Sequence, residues 1–473
     1  MKKYNFLLAI ILGTLSVSSC GDDLDDIIRP SANIEIADFI YRGLNYWSIY
    51  KEDVPDLAND RFASDEERLD FLSQFATPRD AFNGLLSPRD RFSILSDNFE
   101  EFENALAGIR LSTGMRFSLF RQPQDQSLVF GVVRFVFNDG PARDAGVRRG
   151  MIFTGIDGSP LTEVSDLGAI FAQPSFSIDL ATFDEGNQSF TTTGESISLD
   201  QVELSINPVH IAQTLTIKGQ NIGYLHYTGF TNEFDQDLNA AFGQFQANGI
   251  SELVLDLRHN GGGSIETAND LSSMITGQFE GQTFISQRFN EDRDSDFASV
   301  RTFNNTIRVG QDGTEQINSL GLTRVFVLTT NNTASASELI LSGLDPYIDI
   351  VQIGTTTSGK FEGSFLVYDT PGPPFFRRQE ANLGHRFVML PLVLRSVNAD
   401  GLTDYFDGFF PDIELPENVF NLVELGDPSE PLLAAAINEI LAGRSPIPTP
   451  EVIVEPLFES DQNDLLYQRM ITE

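Results

Sequence analysis

Among its 473 residues the chain has one cysteine, four histidines and one tryptophan. A single Cys excludes an internal disulfide, a Cys-x-x-Cys redox pair and a cysteine zinc site. His210, His226, His259 and His385 lie far apart in sequence and form no His-x-x-x-His pair, which argues against a histidine metal site. No metal and no cofactor is expected. Lysine is scarce as well: of 31 basic residues, only Lys2, Lys3, Lys51, Lys218 and Lys360 are Lys. Acid is abundant, with 68 Asp and Glu and a formal net charge of −37. That balance disfavours nucleic acid as a partner, because such contacts need clustered Lys and Arg. With 41% hydrophobic and 21% charged residues the chain should build globular cores, and its length suits about two to four domains.

Lys2 and Lys3 precede a short apolar run, Phe6 to Val17, well under the ~20 residues that span a bilayer. It ends in Val17-Ser18-Ser19-Cys20, which resembles a bacterial lipobox. The resemblance implies a leader over residues 1–19, a lipid on Cys20, and a membrane anchor in the bacterial cell envelope, on the periplasmic face or at the outer-membrane surface. The alternative is a plain signal peptide with an incidental Cys. Asp22, Asp23, Asp25 and Asp26 make residues 20–32 an acidic tether, similar to the export signals of some surface lipoproteins.

Residues 33–109 read as a small helical domain. Ile36, Phe39, Ile40, Leu44 and Trp47 recur at helical spacing, and Ser64-Asp65-Glu66-Glu67 is a capping box ahead of Leu69, Leu72 and Phe75. Residues 110–212 are β-rich. The stretch Gly140-Pro141-Ala142-Arg143-Asp144-Ala145-Gly146-Val147-Arg148-Arg149-Gly150, then a strand and Asp157-Gly158, resembles a PDZ domain of the bacterial protease type. Met151 departs from the acidic residue usual there. The resemblance puts Gly114, Met115, Arg116 and Phe117 at a carboxylate-binding loop, where backbone N–H groups grip a peptide that adds a strand to the sheet edge. Residues 213–443 alternate buried strands, sharp turns and helices, which predicts a mostly parallel sheet with chemistry at the strand ends. Asp427-Pro428-Ser429-Glu430 opens the last helix and Gly443 closes it. Pro446, Pro448 and Pro450 make 444–473 a stiff linker followed by an acidic, mobile tail.

Three segments converge on those strand ends: Asp256-Leu257-Arg258-His259-Asn260-Gly261-Gly262-Gly263, Thr333-Ala334-Ser335-Ala336-Ser337-Glu338, and Gly354-Thr355-Thr356-Thr357-Ser358-Gly359-Lys360. A Ser hydroxyl is a weak nucleophile that needs a base. Ser335 stands at a helix start, where free N–H groups favour developing negative charge. Lys360 follows one helix and one parallel strand later, which returns the chain to the same end of the sheet. Lys can act as a base if burial lowers its pKa; Arg cannot. In this order the three motifs resemble the C-terminal processing (tail-specific) serine peptidases. The resemblance implies a multidomain α/β chain with a ClpP/crotonase-like catalytic domain, and a Ser335/Lys360 dyad cleaving unfolded or C-terminally presented polypeptides. It also implies an oxyanion hole from the N–H groups of Ala336 and Gly262. Asp256, Arg258 and Asn260 would brace the loop. Relatives often carry a Gln four residues after the Lys; here Ser364 takes that place as a possible orienting residue, with Asp345 as a second candidate.

Other readings are weaker. Gly354 to Lys360 resembles a phosphate loop, but Phe361 replaces the required Ser or Thr and no helix follows. His226 and His259 are available for a Ser-His-Asp hydrolase, yet no Gly-x-Ser-x-Gly elbow contains Ser335. A non-catalytic PDZ-type peptide-binding surface lipoprotein would keep the PDZ segment and lose the dyad; both dyad residues are present.

Overall fold

The computed structural model describes residues 32–310, 312–442, 455–462 and 464–472. The leader, Cys20 and nearly all of the acidic tether lie outside them.

The helical start is α1 (Asn33–Trp47), α2 (Asp65–Leu72), α3 (Pro78–Gly84), a strand β1 (Ile94–Ser96) and α4 (Phe99–Leu106). The predicted stripe of α1 is buried: Phe39, Ile40, Leu44 and Trp47 are fully covered. Ser64 caps α2 by accepting the Glu67 N–H, but of its expected stripe Leu72 is buried and Leu69 exposed. The α1 stripe packs into the same core as Leu253, Leu255, Val325, Val327 and Leu339 of the α/β part, so the helices form one body with it. The Trp47 indole N–H donates to the Pro374 carbonyl (2.6 Å), and β1 pairs with a strand near residue 390.

An antiparallel sheet follows, built of β2 (Met115–Arg121), β3 (Val129–Val136), β4 (Ile152–Ile156), β5 (Ser175–Asp184) and β6 (Ser189–Asp200), paired in that order. It stops earlier than expected. β7 (Val209–Ile217) already belongs to the next sheet, pairing antiparallel with β8 (Gln220–Tyr227).

The α/β part continues through α5 (Asp235–Ala247), β9 (Glu252–Asp256), β10 (Gly263–Ser264), α6 (Ile265–Thr276), β11 (Thr283–Phe289), β12 (Ser299–Thr302), β13 (Arg324–Thr329), α7 (Ala336–Leu344), β14 (Asp349–Gly354), β15 (Glu362–Ser364), β16 (Val388–Leu390), β17 (Leu392–Asn398), β18 (Ile413–Glu414) and α8 (Pro431–Ala442). Its main sheet runs β7-β8-β9-β13-β14-β18, parallel at every pair but the first. The continuous apolar run of β9 has a clear cause. Leu253 and Leu255 face the core with α6 and α7, while Val254 faces the other way, onto Leu432, Leu433 and Ala436 of α8.

The C-terminal segment corrects the expectation of a mobile tail. Residues 455–462 and 464–472 are packed against the body. β19 (Phe458–Glu459) adds to the edge of β2, and β20 (Met470–Ile471) lies between β10 and β15, parallel to both. Phe458, Met470 and Ile471 are buried, and Asp464 pairs with Arg110 and Arg116. Apolar side chains and acids with cationic partners outweigh the cost of ordering the segment.

Candidate active site

Ser335 follows the end of β13 and caps α7. It is fully buried and has φ +64° and ψ −118°, outside the ordinary regions for a residue with a side chain. Such a conformation costs ~1–3 kcal/mol and persists only where its surroundings enforce it. The enforcement is a stitching of strand-end loops. Thr333 Oγ1 donates to the Leu257 carbonyl (2.9 Å), Thr330 Oγ1 to the Arg258 carbonyl (2.6 Å), and Ser337 Oγ to the Asn260 carbonyl (3.0 Å). The Ser335 hydroxyl itself has no hydrogen-bond partner.

Glu338, one turn into α7, joins this residue to the lysine loop. One carboxylate oxygen accepts the Ser335 N–H (2.9 Å) and the Lys360 N–H (2.8 Å); the other accepts Thr357 Oγ1 (2.5 Å) and the Gly359 N–H (2.7 Å). Burial pushes its carboxyl up, opposed by these four donors. Glu338 has no role among the sequence-based expectations. The signal was there, since Ser335-x-x-Glu338 has capping-box spacing.

Lys360 is fully buried. Burial lowers its amine to about 7; Glu362, Asp90 and Glu338 oppose the shift and Arg469 adds to it. Its Nζ donates to the Glu362 carbonyl (2.6 Å), and no hydrogen bond joins it to Ser335. Ser364 is buried, but its hydroxyl has no partner, so the Glu362 carbonyl, and not Ser364, holds the amine here. Asp345 does not come near. It is exposed at the far end of α7, and nine helical residues separate it from Ser335 by roughly 14 Å.

The glycine loop touches the serine. A Cβ on Gly262 (φ +112°) would lie 2.7 Å from Ser335 Cβ, 2.9 Å from Ser335 Oγ and 2.6 Å from the Arg469 carbonyl, so only glycine fits. The Gly262 N–H is committed within its own loop, donating to Asn260 Oδ1 (2.9 Å), while Asn260 Nδ2 donates to the Tyr227 carbonyl (3.0 Å). Ala336 occupies the first position of α7, where N–H groups have no partner inside the helix. Beneath the loop, Arg258 is fully buried among Asp256 (2.8 Å), Glu430 (2.7 Å) and Glu417 (3.0 Å), and Tyr224 donates to Asp256 (2.7 Å).

Of the expected carboxylate-loop residues, Gly114 turns at φ +82°, and Met115 and Phe117 are buried in the sheet core. Arg116 reaches Asp464 (3.3 Å) and Asp461 (3.8 Å) of the C-terminal segment. Three histidines distant in sequence meet: His210 Nδ1 is 2.9 Å from His226 Nδ1, and His226 Nε2 is 3.0 Å from His259 Nδ1. Burial holds His226 and His259 well below the usual imidazole range, so both are neutral. Their nitrogens bond to one another in a file. Among the described residues, no group of three or more His, Cys, Asp or Glu is arranged to hold a metal ion.

Residues 221–367 match the model of peptidase family S41, and residues 35–94 match that of the peptidase S41 N-terminal domain. The chloroplastic C-terminal processing peptidase of Tetradesmus obliquus is 27% identical over 236 residues, 47% of this chain and 46% of its own length. A protein of Staphylococcus epidermidis described as a CtpA-like serine protease is 20% identical over 378 residues, 76% of this chain and 65% of its own. The chain thus spans about half to two thirds of the length of these curated relatives. A solved Bacteroides fragilis structure ascribed to an S41 protease superposes with a TM-score of 0.66 at 24% identity, over 85% of this chain and 96% of that one, and shows a shared fold. This chain carries the domains of peptidase family S41. Within that family, CtpA-like C-terminal processing proteases are its homologues.

Proposed function

We propose that the chain is a serine endopeptidase of the C-terminal processing type, working through Ser335 and Lys360. The observation that carries this is the pairing of a buried lysine, its amine lowered to about 7, with a strained, unpartnered serine on one shared carboxylate. Near neutral pH a fraction of Lys360 is uncharged and able to take the Ser335 proton; an Arg would stay protonated. The amine swings from the Glu362 carbonyl to Ser335 Oγ, which then attacks the substrate carbonyl. The Ala336 N–H and a Gly262 N–H released from Asn260 stabilise the oxyanion. Lys360 returns the proton to the leaving amine, and water completes hydrolysis. The fold reading goes with it: the sheet β2–β6 acts as a PDZ-type module that presents extended polypeptide, and the α/β part is a ClpP/crotonase-like domain. A lipid on Cys20 holds the enzyme in the cell envelope; palmitate incorporation that survives Cys20→Ala would remove that element.

Cleavage of an unfolded protein should vanish in Ser335→Ala and in Lys360→Arg, with folding unchanged by circular dichroism. Normal turnover in either variant would exclude the dyad.

A further inference from the structure

Residues 455–462 and 464–472 lie along the body of the molecule, the first at the edge of β2 and the second across the glycine loop. At the β2 edge, the Leu457 N–H donates to the Leu119 carbonyl (2.7 Å), the Ser460 N–H to the Phe117 carbonyl (2.9 Å), and the Phe117 N–H to Ser460 Oγ (3.0 Å). This is strand addition. The segment runs antiparallel to β2 towards Gly114, the direction a peptide takes when its C-terminus approaches a carboxylate loop. Phe458 stacks on Phe171 (5.9 Å) and lies tilted against Phe117 (6.2 Å), and Asp464 meets Arg110 and Arg116. A cavity of about 610 Å³ beside these contacts is lined by Arg110, Arg116, Phe117 and Phe176.

The same segment then crosses the candidate catalytic cleft. The Gly263 N–H donates to the Arg469 carbonyl (2.7 Å), and the Thr472 N–H to the Ser364 carbonyl (2.9 Å). Met470–Ile471 fills the space between the glycine loop and the strand after Lys360. A carbon added at Gly262 would touch both the Arg469 carbonyl and Ser335 Oγ. The machinery beside it is at rest, with the lysine turned to Glu362 and the Gly262 N–H turned to Asn260.

We infer that the β2 edge and the glycine-loop cleft form one binding track for an extended, acidic polypeptide with an aromatic anchor, and that residues 455–462 and 464–472 are its resident occupant, keeping the enzyme latent until a substrate displaces them. The latency rests on the peptidase reading; the track does not. Phe458 and the Arg110–Arg116 pair set the preference for an aromatic residue followed by acids, and β20 occupies the place where a substrate strand would pass Ser335.

Phe458→Asp and Met470→Asp, each in the full chain, test it. Turnover of an unfolded protein should rise about tenfold or more in both, because a competing occupant is removed. Turnover at or below the wild-type level in both, with melting curves preserved, overturns the inference. Where a variant fails to fold, amide hydrogen exchange on the Ser335→Ala chain decides. Saturating unfolded protein should speed exchange at Leu457, Ser460 and Thr472, whose N–H groups belong to the displaced segment, and unchanged protection at all three overturns the track. Displacement without cleavage by any chain that retains Ser335 defeats the peptidase reading and leaves the track standing.

Discussion

Glu338 places one buried carboxylate against four donors drawn from two loops, and both members of the proposed dyad hang from the same oxygen. Replacing it with Ala strands those donors and frees the lysine loop to drift. A displacement near 1 Å is enough to cost about 100-fold in rate, so Glu338→Ala should lower kcat/KM by that order while substrate binding at the β2 edge persists. Retained kcat/KM would show that the carboxylate does not position the pair. At this scale the sequence was informative where chemistry restricts residue choice. Lysine is scarce, and the one in the Thr357-Ser358-Gly359-Lys360 loop is buried with its amine near neutrality. Ser364 and Asp345 misled because spacing along the chain does not give direction in space. The first points its hydroxyl at no partner, and the second sits beyond a whole helix.

Among the elements, the parallel strands were legible because a strand buried on both faces must read as an unbroken apolar run. The α1 stripe was legible for the same kind of reason, but what it packs against was not, since an amphipathic helix does not name its partner. Trp47 lies edge-on to Phe365 (4.7 Å) and Phe297 (4.9 Å), both from the α/β part. Trp47→Ala should therefore cost ~3–5 kcal/mol and lower one cooperative unfolding transition for the whole chain. Two separable transitions, with only the smaller one shifted, would contradict the shared core. The tail strands β19 and β20 were illegible. Their apolar residues have no helical or alternating period, and their charge partners are remote, with Arg110 and Asp464 354 residues apart.

At the scale of the whole molecule, a buried ion cluster ties the antiparallel sheet and the turn that follows β3 to the glycine loop. Glu417 binds Arg134 from the sheet, Arg149 from that turn and Arg258 from the glycine loop. Burial alone would raise its carboxyl, but the three guanidinium groups hold it well below the ordinary value of 4.5. Its stabilising contribution is thus fully present above the ordinary carboxylate range and fades as pH falls from that range down through the depressed value. Glu417→Gln should cost ~3–5 kcal/mol at neutral pH, because three cations lose their shared anion. The gap to wild type should narrow in strong acid; a gap that does not depend on pH would argue against the ion cluster.

The dyad is tested most directly by the rate at which a small fluorophosphonate labels Ser335 as a function of pH. Lys360 must be uncharged to accept the proton, and its amine is lowered to about 7. Labelling should rise with pH through a midpoint near that value and disappear in Lys360→Arg. A flat profile, or equal labelling of the Lys360→Arg chain, would contradict the account.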